Sequence, residues 1–409
     1  MNILFICNEY PPGKSGGIGS ITRNLGRALT DLGHNVFVTG LYMPGYGQQD
    51  YEEDRKVKIW RRRFATDNRL LKNDYSLRDA IILKILKNTG LLYFDTYHSV
   101  QSLNKFILNL IIDHQIDIVE WPDFNEYFKY LRKPFQWPAL PVPLIVKFHG
   151  TESYINKQMN EPMDRETYNR EKEHIDRADA LVSVSKHTAD SYTSFYNIDR
   201  KITILYNSID IPEFNSSQQE SNNTIVYSGT LTKLKGIHSL LKSWNIVHER
   251  HPDAALRIFG KGKREPFQKA LNQNAKNSVH FEGFVSRNEL DEAMSKAAAA
   301  IFPSYTECFA IAPLEAMAVG CPVIYTERAS GRELIENGIN GLLVNPDDPV
   351  QMADKINQML ESKDLQEKFS HKARETLEKK FDIRQSAKDH IAFYHEVKRS
   401  YYNPVINNE

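Results

Sequence analysis

Apolar residues run through this chain in short clusters that stop at glycine, proline or polar turns, and that rhythm predicts the elements. "NILFIC" has the length of a buried strand and is followed by the turn-rich "NEYPPGKSGGIG". In "SITRNLGRALTDLGH", Ile21, Leu25, Ala28, Leu29 and Leu32 then recur at helical spacing, with Gly33 as a C-terminal cap. "NVFVTGLY" is the next strand, so the chain opens strand, loop, helix, strand, the unit of a parallel doubly wound sheet. The same grammar continues in "IDIVEWPDF", "PLIVKFHGTESY", "ADALVSVSKHTADSY" and "ITILYNSIDIPEF". A second series follows, with strands in "TIVYSGTL", "ALRIFGKG", "VHFEGFV", "AAAAIFPS", "CPVIYTE" and "GLLVNP". Helical segments between them include "IHSLLKSWNIVHER", "EPFQKALNQNA", "NELDEAMSKA" and "PLEAMAVG".

Between the two series lies "NSSQQESNN", 215–223, without one apolar residue, which reads as a linker. The expectation is therefore two Rossmann-like α/β domains, 1–214 and 215–384. A last amphipathic helix, about 385–409, is placed to pack back onto the first. Ligands of such sheets collect at the C-terminal ends of the strands, here the loops near 8–19, 121–126, 149–151, 185 and 207–210. The segment 50–115 admits two readings. "RKVKIWRRRF" and "LRDAIILKILKNTGLLYF" mix basic and large apolar residues, as a peripheral membrane contact through about 55–95 would, and as edge strands and core helices also would.

Composition narrows the class. With 409 residues, 41% hydrophobic and 25% charged, the chain has material for more than one core. Lys+Arg and Asp+Glu both number 52, so no global field draws it to nucleic acid, and no nucleic-acid partner is expected. Cys7, Cys308 and Cys321 fit no metal or disulfide spacing, which suits a reducing cytoplasm. The N-terminus lacks the basic region of a signal peptide, and no stretch approaches a spanning helix. Cytoplasmic localisation, at most peripheral at the inner face of a membrane, is the expectation.

Chemistry concentrates in "YTECFAIAPLEAMAVGCPVIY", where Glu307 and Glu315 flank a short apolar run. With Pro313 read as the first residue of a helix, Glu315 falls in its first turn and Glu307 in the loop before it. Backbone amides from Cys308 to Ala312 then lead into a helix N-terminus, which attracts anions. A carboxylate accepts well from adjacent hydroxyls. Two of them around a phosphate-binding turn describe a site for a nucleotide sugar. On the strand-end loop "EWPDFNEY", Asp123, Asn125 and Glu126 are candidates for holding the acceptor, and surface polarity explains them as well.

Here the sequence resembles a family. The two glutamates followed by "AMAVGCPVI" and "SGRELIENGINGLLVNPDD" look like the signature of the family 4 glycosyltransferases, the retaining group with the GT-B fold. "EYPPGKSGGIGSITRNLGRAL", "KFHG", "ILYNSID" and "YSGTLTKLKGIHSLL" agree with it. The resemblance implies two doubly wound domains facing across a cleft. It implies that Glu307 contacts the transferred sugar, Glu315 the ribose diol and Lys235 the diphosphate, that His149 lies against the donor sugar, and that Gly17 and Gly19 belong to a loop over the phosphates. Thr230, Phe309, Ala310 and Ile311 fall among the donor-binding positions. The donor would be a UDP-, GDP- or ADP-linked sugar, with no cofactor besides, and the acceptor a carbohydrate or lipid-linked glycan. Retention is thought to need no side-chain nucleophile. Two positions depart from the family pattern: Thr230 stands where an arginine is usual, and Ala310 where a glycine is common.

Two other classes compete with this reading. A nicotinamide oxidoreductase is disfavoured because Thr22 replaces the third fingerprint glycine and "NVFVTGLY" ends without a ribose-binding acid. A catalytically silent sugar-nucleotide-binding scaffold is the alternative that the loss of the arginine leaves open. The chain holds no Asp-x-Asp motif, so no metal requirement is expected.

Overall fold

The computed structural model describes residues 1–13, 16–42, 49–64, 77–132, 135, 137–213 and 222–403. Most of the expected linker, 65–76 of the expected interfacial segment and the last six residues lie outside the described residues. The chain forms two units. The first comprises Met1–Val184, Ala189–Tyr206 and the segment from Ile383 onward; the second comprises Ser185–Thr188 and Asn207–Asp382.

The first unit is built on eight strands: β1 (Asn2–Ile6), β2 (Asn35–Tyr42), β3 (Tyr51–Asp54), β4 (Val57–Arg63), β5 (Ile118–Pro122), β6 (Leu144–Phe148), β7 (Ala180–Ser183) and β8 (Ile202–Ile204). Their order is β3-β4-β2-β1-β5-β6-β7-β8, parallel throughout except for the β3–β4 pair. The order reverses between β1 and β5, which makes the ends of those strands the switch point where such sheets open a crevice. Helix α1 (Gly17–Asp31) follows β1 and buries Ile21, Leu25, Ala28 and Leu29. Leu32, just past its end, is left exposed.

Within the segment 50–115, β3 and β4 form the sheet edge, and α2 (Leu77–Asn88) and α3 (Leu91–Asp113) follow. The basic run "RRR" is therefore strand, with Arg61 buried and paired to Glu52 at 2.9 Å. Three further helices, α4 (Glu152–Gln158), α5 (Arg165–Asp176) and α6 (Lys186–Tyr196), follow β6 and β7.

The second unit carries six parallel strands: β9 (Asn222–Ser228), β10 (Ala255–Phe259), β11 (Val279–Gly283), β12 (Ala297–Phe302), β13 (Val323–Thr326) and β14 (Leu342–Val344). They are ordered β11-β10-β9-β12-β13-β14, with the reversal between β9 and β12. Helices α7 (Ile237–Arg250), α8 (Arg287–Ser295), α9 (Ile311–Ala318), α10 (Pro349–Glu361) and α11 (Lys363–Lys380) accompany the sheet. The core joins Ile225, Leu240, Trp244 and Ile258 to Ile301, Met352 and Phe369. Each such side chain contributes roughly 1.5–3 kcal/mol by leaving water.

Three expectations change. The main run of the second unit begins at Asn207, ahead of the polar stretch, and there Asn207 Nδ2 donates to the Phe309 carbonyl at 3.0 Å and Ile209 N to the Phe381 carbonyl at 3.1 Å. Asn222 and Asn223 belong to β9 rather than to a linker. The segment "EPFQKALNQNA" is helical only over Glu265–Gln268, since Asn272 Oδ1 takes the Ala275 amide at 2.9 Å and turns the chain.

The C-terminal helix α12 (Ile383–Tyr402) belongs to the first unit and places Ile383, Ala387, Tyr394 and Val397 in its core. A buried polar array secures it. Tyr394 OH donates to Glu120 Oε2 at 2.6 Å, Glu120 pairs with Lys147 at 3.5 Å, and Lys147 Nζ reaches His390 Nε2 at 2.9 Å. His390 Nδ1 lies 2.7 Å from the Ser386 carbonyl, which assigns the ring proton to Nδ1 and leaves Nε2 as acceptor for the lysine. Lys147→Ala strands the Glu120 carboxylate in the core and is expected to cost about 3–5 kcal/mol, whereas Lys147→Met combined with Glu120→Gln costs much less. Urea unfolding of the two variants measures the difference.

Candidate functional site

In the second unit, the loops after β9 and β12 flank the switch point. Gly229 N donates to the Phe259 carbonyl and Leu231 N to the Lys261 carbonyl, at 2.9 and 2.8 Å, so the start of the β9 loop continues the sheet. The loop then turns at Gly236, whose φ of 71° suits glycine and whose missing Cβ would run into the Pro303 carbonyl. A second tie, Tyr305 N to the Leu234 carbonyl at 2.8 Å, fastens the two loops together.

That clamp delivers Lys235 to Glu307. The two form an ion pair, and Ser304 Oγ donates to the same carboxylate oxygen at 3.1 Å. The lysine side chain keeps 28% exposure and the glutamate 12%, so the cation stands on the solvent side of the pair. Thr230 is exposed, with its carbonyl accepting from Tyr227 OH at 3.0 Å. Lys233 and Arg264 are exposed too.

Beyond Glu307 the chain is held by its carbonyls. Thr188 Oγ1 donates to Cys308 O at 3.3 Å, Asn207 to Phe309 O, and the buried Phe309 ring packs on Phe381 at 5.4 Å. Helix α9 begins at Ile311 with Ala310 as its N-cap, in extended backbone and without a side-chain capping bond. Its first amides thus receive no cap from that residue, which leaves donors for an anion. Pro313 is the third helical residue, not the first, and Glu315 falls in the second turn. The missing proline N–H is still one the helix would not have used.

Glu315 forms an ion pair with Arg287 of α8. Sequence reading missed that partner: "SRNE" signals a helix start, and nothing in its spacing connects 287 with 315.

In the first unit, the loop after β1 differs from expectation. Glu9 turns its carboxylate into the start of α1, accepting from Gly19 N at 3.0 Å, and the Gly16 and Ile18 amides also act on it. Burial raises its pKa while these amides pull it down. A Cβ at Gly19 would meet the Glu9 carbonyl, so this glycine accommodates Glu9. Gly17 is exposed, with open space around it. The Gly16, Ile18 and Gly19 amides at the start of α1 thus act on a carboxylate of the chain itself.

Asp123 and Asn125 are buried rather than presented to an acceptor. Asp123 accepts from His149 N at 2.8 Å, Gly150 N at 3.2 Å and Tyr192 OH at 2.6 Å. It anchors the turn that carries His149, where Gly150 has a φ of 112°. Asn125 Oδ1 takes Trp121 Nε1 and Asn8 Nδ2, each at 3.1 Å. Glu126 alone of the three is partly exposed, 3.6 Å from Lys129.

The His149 ring is half-buried, and enclosure, followed by the Lys147 ammonium, presses its pKa well below the usual range. It is neutral at neutral pH. Beyond it, Thr151 N donates to Tyr192 OH at 2.7 Å, and Tyr196 OH donates to the buried Glu171 at 3.0 Å. Among the described residues, no cluster of His, Cys, Asp or Glu is arranged to hold a metal, and no helix is long and apolar enough to cross a membrane. The three cysteines are buried, and no disulfide joins them.

Comparison with known proteins agrees along most of the chain. Residues 15–213 match the family model described as Glycosyltransferase Family 4, and 210–376 match Glycosyl transferases group 1. An uncharacterized glycosyltransferase of Methanocaldococcus jannaschii is 25% identical over 96% of this chain and 98% of its own. Among solved structures, sucrose-phosphate synthase from Thermosynechococcus elongatus superposes with a TM-score of 0.72 at 17% identity, covering 97% of this chain and 98% of that one. Anabaena HepE, solved in complex with UDP and glucose, gives 0.66 at 16% identity over 97% of this chain and 100% of that one.

The buried carboxyls beneath the His149 turn set a pH dependence. Burial pushes Asp123 up from 3.8 to about 6 and Glu171 from 4.5 to about 7, against the hydrogen bonds each accepts. Both bind their proton more tightly in the folded chain, so their contribution is complete below the unfolded values and is lost as pH rises through the folded ones. Melting temperature is expected to fall from about pH 4.5 to 7, and Glu171→Gln to flatten that slope, in thermal unfolding across this range.

Proposed function

Because the chain belongs to glycosyltransferase family 4 and has its GT-B fold, we propose that it moves a hexosyl group from a nucleoside-diphosphate sugar to a glycan or lipid-linked acceptor, with retention, in polysaccharide or glycoconjugate synthesis. The observation that carries this reading is the Lys235–Glu307 pair clamped at the β9/β12 switch point beside the uncapped start of α9.

Breaking the anomeric carbon–oxygen bond moves negative charge onto the leaving diphosphate. Lys235 and the first amides of α9 are fixed donors for that charge, and such groups act best when they need not reorganise. Glu307 accepts from hydroxyls of the transferred sugar, and Glu315 from the ribose diol. The acceptor hydroxyl attacks on the face the phosphate leaves, its proton passing to a phosphate oxygen. No side-chain nucleophile is required.

Thr230 supplies a hydroxyl in place of a guanidinium, so Lys235 carries the cationic role on that loop. His149, neutral, serves as a hydrogen-bonding partner for sugar hydroxyls. HepE, with UDP and glucose in its structure, supports a uridine donor as the first to try. Exposed Ile81, Ile85, Leu91 and Phe94 on α2 and α3 support a peripheral contact with lipid or a lipid-linked acceptor.

Thermal shift of the purified chain with uridine, guanosine and adenosine diphosphates and their sugar conjugates tests the donor site. One base is expected to stabilise the protein by mass action, and Lys235→Ala and Glu315→Ala to abolish the shift. Glu307→Gln is expected to lower kcat on the identified donor by roughly a hundredfold or more. Activity is expected to survive excess chelator. A shift without turnover of any donor would move the reading to a silent sugar-nucleotide-binding scaffold.

A further inference from the structure

The ribose role of Glu315 leaves its partner unexplained. Arg287 is the first residue of α8, and its backbone is fixed by the capping box of Ser286 with Glu289, in which Ser286 N donates to Glu289 at 2.8 Å. One edge of the guanidinium is pinned within its own helix, Nε donating to Asp291 Oδ2 at 2.8 Å. The other edge reaches across to Glu315 on α9. Side-chain exposures are 44% for Arg287 and 26% for Glu315, and ion pairs so open to water add little to stability. Gluing α8 to α9 is thus a weak reason for the arrangement.

Aiming is a stronger one. A glutamate on a helix surface samples several rotamers, and holding it in one costs entropy each time a ligand binds. A planar fork held at both edges fixes its partner's direction, which the point charge of a lysine does not. A carboxylate has about four lone-pair directions, so an arginine N–H and two hydroxyls can share it.

Resting on the donor site proposed above, we propose that Arg287 is the positioning residue for ribose recognition, holding the Glu315 carboxylate where it accepts from the 2′ and 3′ hydroxyls together. Selectivity for ribonucleotides over 2′-deoxyribonucleotides then depends on Arg287. Asp291, which steadies the guanidinium, contributes in the same direction and less.

The test measures dissociation constants of uridine, guanosine and adenosine diphosphates and their 2′-deoxy counterparts on the full chain, with Arg287→Ala, Arg287→Lys and Asp291→Asn. For the bound base, the unaltered protein is expected to prefer the ribonucleotide by roughly tenfold, since a missing hydroxyl leaves its acceptor unpaired. Arg287→Ala is expected to bring the preference to within about twofold and to raise KM for the donor with kcat nearly unchanged, and Arg287→Lys to restore part of it. If Arg287→Ala fails to fold, Asp291→Asn carries the test through a smaller loss of preference. An unchanged preference in the variants, or equal weakening of both nucleotide classes, overturns the proposal and leaves the donor site standing. Binding of ribo and deoxy forms with equal affinity by the unaltered chain overturns it also. No nucleotide binding at all defeats the donor site, and this inference with it.

Discussion

In the second unit the chemistry depends on how closely one loop can lie against another. Residue 236 has a left-handed backbone and sits on the Pro303 carbonyl, where a β-carbon would collide. That approach draws the end of the β9 loop onto the end of β12, and with it Lys235 onto Glu307. Side chains 72 residues apart in sequence become partners because a glycine permits the contact. The Tyr305–Leu234 bond then closes the arrangement.

Around this clamp, acids and cations come in matched pairs. Glu307 has Lys235, Glu315 has Arg287, and each pair bridges two different elements of the unit. In the proposed donor site, an acid that accepts from hydroxyls gains from a cation that keeps its direction without covering it. Carbonyls in the loop between the acids are tied down by Thr188 and Asn207, so the segment leading into α9 is held from behind. The same economy explains why the second unit takes in Ser185–Thr188 from an earlier stretch of chain.

The first unit uses inward-turned carboxylates differently. Asp123, Glu120, Glu171 and Glu9 all turn inward, onto backbone amides, tyrosine hydroxyls or Lys147. Their role is to hold turns and the last helix in place. His149 owes its neutrality first to its own burial and then to the nearby Lys147 ammonium.

Hydrophobic periodicity settled the alternation of strands and helices, and with it two parallel sheets, because apolar runs of strand length must be covered on both faces. The pattern also points to the loops after the strands as the expected place for a ligand, with Glu307 and Glu315 in one of them, whereas the roles of Lys235 and His149 are implied only by the family resemblance. Direction and partnership were decided only by the tertiary structure. No spacing reveals that Arg287 meets Glu315, that Asp123 and Asn125 face inward, or that Glu9 fills the amides at the start of α1. Nor does composition show that the second unit resumes at Asn207, where Asn207 and Ile209 bond to the distant Phe309 and Phe381 carbonyls. Local sequence dictates backbone periodicity because that is a property of neighbours. Which polar groups satisfy one another depends on contacts between segments far apart, and those exist only once both sheets have formed.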